Sequence, residues 1–183
     1  DIDKLYAYYK RKNKNLNQTE DPTLKAITLK ITENLTNDED KVKSIFYWVK
    51  DNIKYIAFEN GYEGFIPREA SLICERKFGD CKDMASIITA MAKYAKVKNV
   101  YIAWIGTRDI PYSYNDLATP AVDNHMIAVY KKGEEYLFLD ATDKEKIYGI
   151  PTAFIQGKEA MYDNGDTYKI VPVPLNKDEK NEV

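Results

Sequence analysis

The sequence predicts an α+β fold in a single domain, with helices first and strands after them. Apolar residues recur at helical spacing through the first half of the chain, and from about residue 99 the pattern changes to alternation. Neither a repeat nor a linker interrupts the 183 residues, a length that can bury a substantial core. We expect one domain over 1–183, with a core at about 38–174, a helical extension at 1–37 and a polar tail at 176–183.

The helical segments are recognised by their apolar stripes and by the residues that begin and end them. Asn37 and its neighbours form a cap cluster, and Gly79 followed by Asp80 separates two helices. The predicted helices cover 1–12, a segment from Pro22, 38–53, a short segment from Pro67, and Cys81 to about Tyr94. The last of these is the most apolar, so we expect it at the centre of the fold.

The strands are predicted where apolar and polar residues alternate. They cover 100–105, 123–130, 135–140 and 168–173, and the last is limited to an edge or terminus by its prolines. Between the first two lies a long segment, 107–121, without any periodicity. Loops of that length are usually functional or mobile. The resulting picture is a set of helices packed on an antiparallel sheet.

Charge and hydropathy exclude several function classes. The chain has 27 Lys+Arg against 29 Asp+Glu, and this balance gives no electrostatic reason to bind nucleic acid or an acidic membrane. The longest nearly apolar stretch, 85–92, is far too short to span a bilayer, and no signal peptide is recognisable. Because the chain begins at Asp1 without Met, we expect it to be an excised or processed piece.

The supply of cysteine and histidine limits the possible chemistry. Cys74 and Cys81 are the two cysteines and His125 is the single histidine. Two cysteines without CxxC spacing form no disulfide framework, and a Cys/His zinc site would have to borrow carboxylates. We therefore expect neither a structural metal nor a cofactor.

Cys81 is the candidate nucleophile. It opens a helix, where unpaired backbone N–H groups and the positive end of the helix dipole favour the thiolate over the thiol. The alternative is that Cys81 is a small apolar residue of a core helix, as free cysteines often are. That alternative describes Cys74 well, since it lies in mid-helix beside Leu72 and Ile73.

The strands around His125 place it near a carboxylate. A two-residue turn at Lys132–Gly133 would pair residues whose numbers add up to 265, which sets His125 opposite Asp140. Directly opposed residues share one face, so Asp140 could orient the imidazole of a nucleophile–base–orienter triad. A slip of one residue would instead place Ala141 opposite His125.

Four segments together resemble the transglutaminase-like superfamily, a group of papain-like thiol enzymes. They are Pro67-Arg68-Glu69-Ala70, Gly79-Asp80-Cys81-Lys82-Asp83, Asn124-His125 and Leu139-Asp140-Ala141-Thr142, within a similarity that runs from about Asp38 to Pro151. The similarity is greatest to bacterial domains that follow a larger N-terminal β-rich region in exported proteins. It implies a periplasmic or cell-envelope location, a protein or peptide substrate, and no membrane contact by the domain itself.

The resemblance also implies roles for particular residues. Cys81, His125 and Asp140 would form the catalytic triad, and an aromatic or amide side chain upstream of the cysteine would help to stabilise the oxyanion. Tyr55 is the candidate for that last role, with Tyr62 and Trp48 as nearby alternatives. The papain-type CGSCW element and a calcium-loop signature are both missing from the sequence.

The predicted activity is attack by a thiol on a peptide or amide carbonyl, followed by transfer of the acyl group to water or to an amine. The sequence does not decide between these acceptors, and we favour hydrolysis slightly because water needs no second binding site. The alternative is a non-catalytic binding or scaffolding module that keeps the fold. Arg68 has two interpretations as well: it could bind a substrate carboxylate, or it could pair with Asp80 or Asp83.

Overall fold

The computed structural model describes residues 1–57 and 64–176. Within them the fold is α+β, as the sequence predicts, with an N-terminal half that is mainly helical and strands after it. The helices are α1 (Ile2–Asn13), α2 (Pro22–Thr32), α3 (Asp38–Asn52), α4 (Ala70–Arg76) and α5 (Cys81–Tyr94). Among these residues no helix combines the length and the apolar character that crossing a bilayer requires.

The strands form two sheets in the described part of the chain. They are β1 (Lys54–Tyr55), β2 (Phe78–Gly79), β3 (Val100–Ile105), β4 (His125–Lys132), β5 (Glu135–Leu139), β6 (Glu159–Asp163) and β7 (Tyr168–Pro172). β1 and β2 make a short parallel pair, and the larger sheet is antiparallel in the order β5-β4-β3-β6-β7. The sequence prediction contains β3, β4, β5 and β7 but not β6.

The main core lies between the helices and one face of the larger sheet. α5 packs on β3 and β4 and also contacts α2, α3 and α4, which accounts for its apolar character. Its inward side chains are completely buried; they include Met84, Ile87, Ile88 and Met91. The prediction that this helix occupies the centre of the fold is therefore confirmed.

α1 covers a different part of the sheet. Its Tyr9 is fully buried and stacks on Trp104 of β3, with ring centroids 4.6 Å apart and an interplanar angle of 9°. Met126 of β4 and Met161 of β6 belong to the same apolar cluster. Because the N-terminal helix is packed against β3, β4 and β6, it is a structural part of the sheet's cover.

The β4–β5 hairpin differs from the predicted register. Paired residues include Lys132 with Glu135 and Val129 with Phe138, so the two-residue turn is Gly133–Glu134 and the pair numbers add up to 267. Gly133 has φ +60°, and a glycine with positive φ at the first central position is characteristic of a type II′ turn. The direct pairing of His125 with Asp140 is thus wrong. A shift of two in the sum moves Asp140 diagonally and leaves it on the face that carries His125.

Candidate active site

The first turn of α5 presents Cys81. Asp80 is the N-cap, and its carboxylate accepts the backbone N–H of Asp83 at 3.3 Å, while the Asp83 carboxylate accepts the backbone N–H of Asp80 at 3.0 Å. This reciprocal capping box fixes the start of the helix and hence the backbone of Cys81 between the two acids. A Cβ on Gly79 would lie 2.6 Å from the Cβ of Asp83, so glycine is needed there to let the Asp83 side chain fold back.

Both acids of the capping box are ion-paired. Arg68 Nη1 lies 2.6 Å from Asp83 Oδ2 and 3.7 Å from Asp80 Oδ2, and the buried ammonium of Lys82 contacts Asp80. Of the two interpretations of Arg68, the pairing with Asp80 and Asp83 is the one observed. Burial raises the pKa of Asp80, and the repulsion from Asp83 adds to the rise while Lys82 opposes it.

His125 and Asp140 are in direct contact. His125 is the first residue of β4, Asp140 directly follows β5, and Nε2 of the imidazole donates to Asp140 Oδ2 at 2.7 Å. The carboxylate also accepts Thr142 Oγ1 at 2.7 Å, Thr142 N at 3.2 Å and Thr152 Oγ1 at 3.1 Å. With four donors around it, the Asp140 carboxylate has a fixed orientation and thereby fixes the imidazole. Neither threonine is recognisable from the sequence as part of the site, although Thr142 lies in the same segment as Asp140.

Cys81 and His125 complete the arrangement. Both side chains line the same cleft, Cys81 acts on the pKa of the imidazole, and because Asp140 occupies Nε2, Nδ1 is the ring nitrogen left for the sulfur. Burial lowers the pKa of His125, but the charge and hydrogen bond of Asp140, together with Cys81, outweigh burial and raise the pKa to about 10. Burial also acts to raise the pKa of Asp140, yet the charge and hydrogen bond of His125 leave it lowered. The imidazole therefore favours its charged form at neutral pH.

A cleft of about 330 Å³ opens beside the sulfur. It is lined by Cys81, His125 and Lys82 and by Tyr55, which is 37% exposed and pairs with Gly79 across the β1–β2 ladder. Tyr55 is thus close enough to the nucleophile to contact a bound substrate. Trp48 does not line this cleft; its ring lies under the ammonium of Lys77 at 5.3 Å. Tyr62, the other alternative for the oxyanion role, lies outside the described residues.

Asp123 is a buried carboxylate at the edge of the same cleft. It accepts Tyr9 Oη at 2.6 Å and Tyr114 Oη at 2.8 Å, and it is 4% exposed. Burial raises the pKa of Asp123 to about 6, although both tyrosine hydrogen bonds lower it. The sequence pattern predicts Asp123 on the strand of His125, but β4 begins two residues later and Asp123 is the C-cap of the preceding 3₁₀ turn, Pro120–Val122.

Comparison with known proteins gives a family. The family model described as the transglutaminase-like superfamily matches residues 25–141, which contain Cys81, His125 and Asp140. A search of curated proteins gave no match.

Solved structures with a similar fold include two bacterial proteins described as candidate proteases. The one from Parabacteroides distasonis has a TM-score of 0.69 at 13% identity, over 94% of this chain and 31% of that one. The candidate cysteine protease from Cytophaga hutchinsonii has a TM-score of 0.51 at 16% identity, over 82% of this chain and 46% of that one. Calcium-bound LapG from Legionella pneumophila has a TM-score of 0.58 at 9% identity, over 97% of this chain and 92% of that one. At these identities the likeness concerns the fold, and this chain spans less than half the length of the first two proteins.

Proposed function

Since the chain belongs to the transglutaminase-like superfamily, we propose that it is a thiol-dependent enzyme that acts on peptide or amide bonds through Cys81, His125 and Asp140. The observation that carries the proposal is the position of His125, which lines the cleft together with Cys81 and is hydrogen-bonded through Nε2 to Asp140. This is the nucleophile–base–orienter arrangement that thiol and serine enzymes share.

The steps follow from the charged imidazole of His125 and the ionised carboxylate of Asp140. The sulfur of Cys81 attacks the carbonyl carbon as a thiolate, and the charged imidazole of His125 gives its proton to the leaving amine, so that a thioester forms and the C–N bond breaks. The neutral imidazole then takes a proton from the incoming water or amine, which displaces the sulfur and regenerates the pair. Asp140 remains ionised and stabilises the imidazolium at each stage.

The developing oxyanion needs two donors. The backbone N–H of Cys81 lies in the first turn of α5, where no helical carbonyl is available to it, and it is the first donor. We assign the Tyr55 hydroxyl as the second donor, because Tyr55 lines the cleft with Cys81 while Trp48 does not.

We favour water as the acceptor, so the proposed activity is that of a protease or amidase. Protein cross-linking, in which an amine is the acceptor, is the second possibility. The reason for favouring water is that it needs no second binding site beside the acyl substrate, whereas an amine acceptor does. The substrate that we propose is a protein or peptide. The export of the protein and the presence of a β-rich region before this domain are also part of the proposal, and they rest on the sequence resemblance alone.

The activity is tested on a labelled peptide library, with and without a tagged alkylamine. We expect cleavage products with the wild type, little incorporation of the amine, and neither product with Cys81→Ala. Cys74→Ala is the matched control and should retain the activity, because Cys74 is buried in the core away from the cleft. Equal activity of Cys81→Ala and the wild type would refute the proposal. Binding of a library peptide without turnover by either protein would favour the non-catalytic alternative.

A further inference from the structure

Two negative charges flank the candidate nucleophile. Asp80 directly precedes Cys81, Asp83 follows two residues later, and both side chains are buried, with Asp80 3% and Asp83 0% exposed. Acids at a helix start normally stabilise the helix through its dipole. Here the same charges would repel a thiolate and offset the positive field of the helix start that favours it.

Each of these acids contacts a cation, and Arg68 lies within ion-pair distance of both. Arg68, from the segment before α4, gives Asp83 two contacts: Nη1 at 2.6 Å from Oδ2, and its backbone N–H at 3.0 Å from Oδ1. Lys82, which is 3% exposed, contacts Asp80 with its ammonium group. The four charges therefore cancel within the first turn of α5 and its immediate surroundings.

The other charged or titratable groups around Cys81 do not provide this compensation. His125 and Asp140 form a second balanced pair, and Asp123 is held by two tyrosines at the cleft edge. Tyr55 on β1 also lines the cleft, and its hydroxyl supplies no positive charge. If Arg68 and Lys82 were neutral, the capping-box acids would thus add two uncompensated charges at the nucleophile.

We propose that Arg68 and Lys82 are positioning residues that neutralise the capping box, so that the start of α5 keeps a field favourable to the Cys81 thiolate. The proposal rests on the proposed function in one respect, because it takes Cys81 as the nucleophile. According to this proposal, the reactivity of Cys81 depends on the charge balance at the start of α5 as well as on His125 and Asp140. A purely structural role would make the ion pairs matter for folding alone.

The experiment measures the rate of Cys81 alkylation by iodoacetamide between pH 5 and 9, in a Cys74→Ala background that leaves one thiol. Arg68→Gln should move the pH profile upward and lower the rate at pH 6 about tenfold, because a buried negative charge loses its partner. Asp83→Asn, which keeps an oxygen acceptor for the cap, should not slow the reaction. The double variant Arg68→Gln/Asp83→Asn restores the charge balance and should bring the rate back to within about twofold of the wild type.

The rescue separates charge from structure. If the double variant is as slow as Arg68→Gln, or if Arg68→Gln leaves the profile unchanged, the proposal is overturned. If circular dichroism shows that Arg68→Gln does not fold, Arg68→Lys and Lys82→Met are measured instead. Arg68→Lys should keep the wild-type pH profile, and Lys82→Met should shift it upward. The opposite pattern refutes the proposal. Turnover of the peptide library, measured on the same proteins, is scored separately. A profile that shifts as expected without any turnover supports the charge role and counts against the proposed function.

Discussion

At the scale of single residues, the two cysteines show how position within a helix separates chemistry from packing. Cys74 lies inside α4 and is 4% exposed, and burial raises the pKa of its thiol despite the nearby Lys77. Cys81 is half-buried and lines the cleft together with His125. The same side chain is thus an inert core residue at one site and a candidate nucleophile at the other.

We expect the folded protein to be alkylated at Cys81 at least tenfold faster than at Cys74. The physical reason is access together with the adjacent imidazolium at Cys81, against burial at Cys74. The measurement is peptide mass spectrometry after a short iodoacetamide pulse at pH 6.5, with protein unfolded in urea as the control in which both thiols should react alike. Equal labelling in the folded state would contradict the assignment of Cys81 as the nucleophile.

A second prediction at this scale concerns Asp140. Asp140→Asn should lower turnover about 10²-fold, because an amide cannot stabilise the imidazolium of His125, and this loss lies within the usual range for acid–base assistance. The fold should persist, since Thr142, which donates to Oδ1, can still donate to the amide oxygen, and the Thr152 hydroxyl at the Oδ2 position can accept from the amide nitrogen instead. kcat and KM on a cleaved peptide are the measured quantities, and Asp51→Asn, at an exposed position on α3, is the matched control. Unchanged kcat in Asp140→Asn would remove Asp140 from the triad.

At the scale of secondary-structure elements, the sequence predicts the bounds of those helices and strands that are determined by residues close to one another in the chain. The cap at Asp80 and the apolar stripe after it place α5 at its observed bounds, and alternation places β3 at its observed bounds. β6 escapes prediction because it lies between β3 and β7, where Ala160, Met161 and Tyr162 are all buried and no alternation remains. A short strand buried on both faces has no pattern of its own.

The β4–β5 hairpin shows why the proximity of His125 and Asp140 is predictable even though the predicted pairing register is wrong. The turn lies one residue later than predicted, which changes the pair sum by two and preserves which residues share a face. The sequence therefore correctly predicts His125 and Asp140 on one face. It predicts them as direct neighbours, whereas they are diagonal neighbours in the structure. Thr152 and Phe154, which contact Asp140 and His125 from a distant segment, could not be predicted, because only the tertiary fold brings them there.

The turn between β4 and β5 gives a prediction about the stability of the protein. Gly133→Ala should lower the free energy of unfolding by about 1–2 kcal/mol, because alanine is strained at φ +60° while the space around its Cβ is open. Urea denaturation provides the measurement. Glu134→Ala, at the neighbouring turn position without positive φ, is the control and should change stability by less than about 0.5 kcal/mol. Equal effects of the two substitutions would contradict the assigned turn.

At the scale of the whole molecule, Asp123 joins three parts of the chain. Its carboxylate binds Tyr9 from α1 and Tyr114 from the segment 107–121, and it precedes His125 by two residues at the cleft. α1 lies outside the residues that match the family model, yet through Tyr9 it contributes to the support of the site. The long aperiodic segment is tied to the same carboxylate, so its position and that of the N-terminal helix depend on one buried acid.

This burial predicts a particular dependence of stability on pH. The pKa of Asp123 is raised to about 6 in the folded protein, against about 3.9 for an ordinary aspartate, so the folded state binds more protons than the unfolded chain between these values. Stability contributed by Asp123 is therefore greatest below pH 4 and falls as the pH rises to about 6. His125 has its pKa raised to about 10, so its contribution is complete below pH ~6.5 and is lost only at higher pH, outside this window.

Asp123→Asn removes this titration while it keeps a side chain of the same shape between the two tyrosines. The stability of the variant relative to the wild type should rise by about 2–3 kcal/mol from pH 4 to pH 7. Over this range the wild type acquires a buried negative charge, which the amide never carries. The comparison is made by urea denaturation at both pH values. Asp51→Asn, on the exposed surface of α3, should follow the wild-type pH dependence. If the difference between Asp123→Asn and the wild type is the same at both pH values, Asp123 titrates normally, and the tyrosines Tyr9 and Tyr114 hold a carboxylate that is already charged at pH 4.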